Sequence, residues 1–215
     1  MSVPHDRLRR LTEYAVSDRA ALDALLDEQW FGVLSTVSDG EPWAVPMLHA
    51  RDGDRILLHG STGAGALRHV AGGAPAVFSV TAMDALAVAP TTFESSVNYR
   101  SATVRGRLEP LPREEQEAAL ELFSERVLPG RTVEVRPSSR KELAASLAMA
   151  LAITDGGWLM KAAGGWPATP EEADAAPDVW SGLVPVRSVL DPPLAAPWAA
   201  DLPVPPSVRR LVEGS

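Results

Sequence analysis

Five consecutive residues, His59-Gly60-Ser61-Thr62-Gly63, follow a strand-like run and lead into a short helical pattern. The Ser61 and Thr62 hydroxyls, the backbone N–H groups around Gly63 to Gly65 and the dipole of the following helix form a set that can coordinate a phosphate. Arg68 lies one turn further on. A plain turn after a strand is the competing reading of the same residues. A second polar group runs from Phe93 to Ser101, at the start of a later strand. There Arg100 is suited to pairing with a phosphate, and Ser96 and Asn98 to hydrogen-bonding a heterocycle. A strand end with solvated polar side chains accounts for them equally well.

Histidines are few: His5, His49, His59 and His69. His49 and His59 fall on adjacent expected strands, where a pair of imidazoles can hold a metal or a haem. No carboxylate or third histidine has metal-ligand spacing beside them, so structural or hydrogen-bonding roles are expected and no metal site is assigned. The chain also shows no Ser-His-Asp order, no phosphate loop of the Gly-x-x-x-x-Gly-Lys type and no carboxylate spacing that selects a catalytic pair. Chemistry supplied by a bound cofactor fits this shortage of protein nucleophiles.

These groups need a scaffold, and its turns are the clearest part. Asp39-Gly40 and Asp52-Gly53 supply the positive φ that tight hairpins require. Strand-like runs over 31–37, 43–50 and 55–59 flank them, so antiparallel sheet is expected here. Pro46 interrupts the second run. Having no N–H to give a ladder, it implies an edge, a bulge, or a place where a ligand takes the neighbouring backbone groups. Further strands are expected over 76–81, 85–89 and 98–108, giving six strands and a small barrel. Ser17 or Asp18 caps a first helix through Leu22, Leu25 and Leu26, ending near Trp30 or Gly32. Pro112 begins another, ended by Pro129-Gly130. A third is predicted after Ser138-Ser139, running through Leu143, Leu147 and Ala150. A strand or hairpin follows over 151–161, and the Pro-rich stretch 191–207 should be extended.

With 215 residues and 46% hydrophobic content, one domain spanning 1–215 is expected. Residues 14–163 would form the barrel and its helices. Residues 164–215 would form an extension whose Trp166, Trp180 and Trp198 pack on the barrel or on a partner subunit. A net charge of −8 argues against a general nucleic-acid binder, and the absence of cysteine removes disulfides and thiolate chemistry. No leader-like N-terminus and no apolar run of membrane-spanning length is evident, so a cytoplasmic protein is expected.

The order Asp39-Gly40-Glu41-Pro42-Trp43-Ala44-Val45-Pro46, Ala50-Arg51-Asp52-Gly53-Asp54, Leu58-His59-Gly60-Ser61, Asn98-Tyr99-Arg100-Ser101 and Val179-Trp180-Ser181-Gly182 resembles the pyridoxamine-phosphate-oxidase-like split-barrel flavoproteins. Within them it is most similar to the flavin-nucleotide-binding branch related to nitroimidazole-resistance reductases. The resemblance implies a mainly β fold with flanking helices, a six-stranded antiparallel split β-barrel that forms a homodimer and binds FMN. It places Trp43, Val45, Pro46 and Met47 along the flavin ring, and His59, Ser61, Thr62, Gly63 and Arg68 at the phosphate. Ser96, Asn98, Arg100 and Trp180 would complete the pocket. Where relatives carry a Ser-Arg or a Lys for the phosphate, this chain has Ala64-Gly65-Ala66, so Arg68 or Arg100 would have to substitute. It also has Glu94-Ser95 and Pro90 where relatives often carry a His pair and an Arg. The implied activity is FMN-dependent electron or hydride transfer to a small organic acceptor, with no acid or base assigned. The alternative is a non-catalytic split-barrel binding protein with altered cofactor use, deazaflavin and haem included; a haem would need His49, His59 or His69.

Overall fold

A two-residue strand, β1 (Ala15–Val16), and a helix, α1 (Arg19–Glu28), open the fold. The computed structural model describes residue 8, residues 10–63 and residues 65–214. The Asp18 side chain caps α1 by accepting the Ala20 N–H at 3.0 Å. Leu22, Leu25 and Leu26 are fully buried at helical spacing, so this helix is held by its apolar stripe. It stops two residues short of Trp30.

The two expected hairpins follow as β2 (Phe31–Ser38), β3 (Glu41–Asp52) and β4 (Arg55–Ser61). Asp39 and Gly40 both adopt positive φ, 53° and 82°, and Gly53 does so at 58°. Next come α2 (Gly65–Ala71), β5 (Pro75–Val88) and β6 (Ser96–Pro110). The expected strands at 76–81 and 85–89 are one strand, β5, which changes register against β6 between Met83 and Ala85. Asp84 is left unpaired there, a β-bulge that reads in sequence as a break.

Helix α3 (Arg113–Val127) forms as expected, whereas the helix after Ser139 is short. Ser139 and Glu142 make a capping box for α4 (Arg140–Ala145), after which the chain turns into β7 (Ser146–Ala152). Leu147 and Ala150 therefore belong to a strand. The reason is burial on both faces: Met149 and Leu151 enter the inner core while Ala148 is sealed outside under α3. A strand buried on both sides is uniformly apolar and mimics a helix in sequence.

The chain closes with β8 (Trp158–Ala163), β9 (Gly182–Pro185) and α5 (Pro206–Glu213). Antiparallel pairings β5–β2–β3–β4–β7–β6 return to β5, giving a six-membered ring. β8 and β1 extend it beside β6, and β9 adds to β5. Leu34, Ile56, Leu58, Phe78, Val80 and Val104 fill the interior, and the α1 leucines join that core. A smaller outer core of Ala50, Leu57, Leu111, Ala119, Phe123 and Ala148 holds α3 on the outside. Residues 191–205 form no helix or strand apart from a single turn of 3-10 helix at Pro197–Ala199. Trp166, Trp180 and Trp198 are 82%, 66% and 87% exposed, so this one chain does not cover them. Among the described residues, no helix is long and apolar enough to cross a membrane.

Candidate functional site

The ring is interrupted between β3 and β4. Residues 41–48 of β3 pair with β2, whereas residues 49–52 pair with β4. Residues 59–61 of β4 pair with β7 alone. The two strands thus part beyond His49 and Leu58, leaving two strand edges that face each other without a shared ladder. Their backbone N–H and C=O groups are available to a ligand. Pro46 lies in this half of β3, where one edge is free and a proline is tolerated.

Two of the sequence-predicted segments flank that opening. Trp43, Val45 and Met47 are half-buried against the inner core, while Pro46 is exposed on the opposite face, so these four side chains do not share one surface. On β4, Leu57 belongs to the outer core, and the period of two puts His59 and Ser61 outside as well. The His59 ring meets Phe123 edge-on, centroids 4.4 Å apart, and burial pushes its imidazole toward the neutral form. Ser61 Oγ accepts the Gly63 N–H at 3.2 Å, and Thr62 donates its N–H and its hydroxyl to the Ala145 carbonyl at 3.1 and 3.4 Å. Arg68 is exposed on α2, and its side chain makes no hydrogen bond or ion pair among the described residues. With seven residues α2 is short, so a phosphate here would rely on Arg68 and the hydroxyls more than on the expected dipole.

The remaining predicted residues gather elsewhere. Ala87 pairs with both Ser96 and Leu183, which brings the start of β6 beside β9. Trp180 lies over Gly182, where an added Cβ would come within 2.9 Å of its ring. Asn98 donates to the Gly165 carbonyl at 2.9 Å. Arg100 is committed: it donates to both oxygens of Asp84 and both of Glu28, at 2.5 to 3.3 Å. Asp84 and then Glu28 raise its pKa, and Arg100 in turn holds the Glu28 carboxyl below its usual range. It is therefore not a spare phosphate cation. No hydrogen bond joins this group to the β3–β4 opening among the described residues.

The histidines separate cleanly. His49 is fully buried inside the ring, its Nε2 2.9 Å from the Leu26 carbonyl and its ring edge-on to Phe78 at 5.0 Å. Its period-two relation to Met47 places it inside, whereas His59 is outside, so the two cannot bind one metal or haem between them. His5 lies outside the described residues. His69 sits at the surface with Nε2 2.8 Å from the Val37 carbonyl. Val37 also borders a cleft of about 720 Å³, lined by Thr36, Pro75, Val77, Arg105, Gly106 and Arg107 among others. Sequence reading missed this cleft, although Arg105-Gly106-Arg107 carried the signal: two cations flanking a glycine on one strand. A second cleft, of about 870 Å³, lies between Arg100, Asp84 and residues 186–190 of the C-terminal extension. Among the described residues no three metal-ligating side chains cluster.

A six-strand ring that opens between β3 and β4, with helices packed against it, defines a split-barrel protein. The family model described as pyridoxamine 5'-phosphate oxidase matches residues 18–156, and this chain belongs to that family. Among solved structures, the FAD and haem binding protein from Mycobacterium smegmatis is 44% identical, covering 93% of this chain and 97% of its own, with a TM-score of 0.88. The flavocytochrome Anf3 from Azotobacter vinelandii is 26% identical over 94% of each chain, with a TM-score of 0.86. A protein from Bacteroides thetaiotaomicron ascribed to 5-nitroimidazole antibiotic resistance shares the fold, at 16% identity and a TM-score of 0.57, and covers 69% of this chain and 86% of its own. Comparison with curated proteins gave no match.

Proposed function

We propose that this protein is a flavin-binding redox protein that also holds a haem, working as a cytoplasmic homodimer. The observation that carries the reading is the span of the likeness. The family model stops at residue 156, but the mycobacterial FAD and haem binding protein and the flavocytochrome resemble the chain over 93% and 94% of its length, past that limit and into the C-terminal extension.

The chain's own residues fit both groups. At the β3–β4 opening, unpaired strand edges suit the hydrogen-bonding rim of an isoalloxazine, and Ser61, Thr62 and Arg68 would hold phosphate. Ser96, Asn98 and Trp180 would shield the flavin if they come from the second subunit. For a haem, His49 is sealed and His59 is pressed on Phe123, so His69, whose Nε2 lies 2.8 Å from the Val37 carbonyl, would have to offer its Nδ1 to the iron. Arg105 and Arg107 would answer the propionates there. When bound, a flavin exchanges two electrons with an organic partner and a haem exchanges one, so the pair can relay electrons between acceptors of the two kinds. A small organic acceptor is the proposed substrate.

The dinucleotide FAD is proposed in preference to FMN because of the 44% identical relative. The test is an absorption spectrum of purified protein before and after incubation with FAD, FMN and haemin, followed by gel filtration and chromatography of the acid-released flavin. Retained flavin absorbance, a Soret band and released FAD are expected. Released FMN would return the flavin to the mononucleotide, and a protein colourless after loading would refute the redox reading. The exposed Trp166, Trp198 and Leu194 support the dimer, and a monomeric mass by light scattering would refute it.

A further inference from the structure

A third cleft, of about 600 Å³, lies between the first turns of α3 and the helix α4. Its volume falls within the roughly 300 to 1,000 Å³ of small-molecule sites. Leu111, Leu143 and Leu147 line it with apolar surface, and Arg113, Glu114, Glu117 and Arg140 supply its charges. Arg19, Arg51, Arg55, Arg100, Arg131 and Arg136 each pair with a carboxylate. The side chains of Arg113 and Arg140 make no hydrogen bond or ion pair among the described residues, and neither do those of Glu114 and Glu117. Glu117 even stands four residues after Arg113, the spacing at which a helix pairs opposite charges, without forming the pair. Two cations and two acids thus share one cleft without neutralising each other.

The cleft adjoins the candidate phosphate loop. Beyond Leu58 one edge of β4 faces the opening, and the other is laddered to β7, with Ser61 opposite Ser146 and Gly60 opposite Leu147. Ser146 and Leu147 both line the cleft. Directly opposed residues project to the same face, so Ser146 stands outside with Ser61, as Ala148 does under α3. Neighbouring strands lie about 4.8 Å apart, which puts the edge of the cleft one strand spacing from Ser61. The Thr62 N–H donates to the carbonyl of Ala145, the last residue of α4, and so ties the loop to the cleft's wall. Across the outside of the barrel the order is therefore opening, phosphate loop, cleft.

A mononucleotide flavin whose ring lies at the opening ends at Ser61 and Thr62. A dinucleotide continues past them with a second phosphate, a ribose and an adenine. Guanidinium groups match phosphate oxygens and stack on a flat base, carboxylates accept from ribose hydroxyls, and the leucines offer apolar surface to the base. Glu114 and Glu117 would repel a bare polyphosphate, so the mixed charge suits a nucleotide better than a simple anion.

We propose that the cleft between α3 and α4 binds the adenosine-phosphate half of FAD, with Arg113 and Arg140 as its cationic contacts. The identity of the whole ligand rests on the flavin reading; an adenine-nucleotide cleft does not. The test titrates riboflavin, FMN, FAD and ADP into the full chain and into R113Q, R140Q and Ala144→Trp, the last adding an indole to the lining from an exposed position. Wild type should prefer FAD to FMN. Each variant should lose roughly tenfold in FAD affinity and nothing for FMN or riboflavin. Equal wild-type affinity for FAD and FMN, or variants that keep the wild-type ratio of the two, would overturn the proposal and leave the flavin reading standing. Equal losses for FMN and FAD would assign the arginines to the shared part of the ligand or to structure, and overturn it as well. If wild-type protein binds no flavin, the flavin reading fails by itself and ADP decides. ADP should raise the melting temperature of wild type and raise it less in R113Q and R140Q; no rise, or the same rise in all three, overturns the adenine-nucleotide cleft.

Discussion

His49 makes the stability of this protein depend on pH in a way that one substitution can isolate. Burial, the largest influence, holds its imidazole down to about 4, against 6.5 for an exposed histidine. Above about pH 6.5 both folded and unfolded chains carry it neutral, so it contributes no pH dependence. As the pH falls from there toward about 4, the unfolded chain takes up a proton that the folded chain refuses, and stability is lost; below about 4 the loss levels off. The gap between the two values corresponds to roughly 3 kcal/mol, of which about 2 to 3 should be gone by about pH 4.5. His49→Gln keeps a donor for the Leu26 carbonyl and removes the titration. It also loses the edge contact with Phe78, so at neutral pH the variant should be less stable than wild type by about 1 to 2 kcal/mol. Urea unfolding followed by tryptophan fluorescence, repeated across this range, should show the wild-type advantage shrinking and then vanishing or reversing in acid. Every other ionisable group is common to the two proteins, so its contribution cancels in the difference. Curves that remain parallel over the whole range would mean that the folded chain protonates His49 freely, and would refute the buried neutral imidazole.

Other outcomes follow from single contacts. Gly32→Ala would place a Cβ 2.2 Å from the Phe78 ring and 2.7 Å from the Ser79 carbonyl, so it should lower unfolding stability by about 2 to 3 kcal/mol or more, read as a fall in urea midpoint. Arg68→Ala removes an exposed side chain without an ion pair and should leave the melting temperature unchanged while weakening FAD or FMN binding roughly tenfold in calorimetric titration; unchanged affinity would exclude Arg68 from the phosphate. Glu134→Ala removes the acceptor for the Ser207 N–H at 2.8 Å and its hydroxyl at 2.6 Å, so limited proteolysis should cut near α5 faster while the barrel keeps its melting temperature.

What could be read from the sequence was local. Asp39-Gly40 and Asp52-Gly53 announce their hairpins because only residues tolerating positive φ close so short a loop, and the α1 leucines announce a helix by spacing alone. The β7 segment gave the wrong period because both of its faces are buried, and β5 read as two strands because the unpaired Asp84 interrupts its pattern. The candidate site was half legible. The segments on either side of the β3–β4 opening could be named, since glycine, serine and proline mark places where backbone must stay open. The ion pairs of Arg100 could not be read, because its two carboxylates come from α1 and β5, positions 28 and 84, which no sequence spacing relates to it.

The opening and the buried histidine are one feature of the fold seen from two sides. A strand can separate from one neighbour and join another only where something fixes the point of exchange, because a slip of one residue would turn every side chain of β3 to the wrong face. His49 occupies that point: its N–H donates to the Trp30 carbonyl at 3.2 Å, and its ring reaches the Leu26 carbonyl at the end of α1. Both partners lie on the segment that enters β2, so the residue ties the exchange to the helix that packs on the core. Loss of His49 should therefore be felt in the geometry of the opening as well as in stability. For the same variant, the ratio of FAD to riboflavin affinity should fall even at neutral pH, where titration plays no part. A ratio equal to wild type would show that the β3–β4 seam holds its register without this tether.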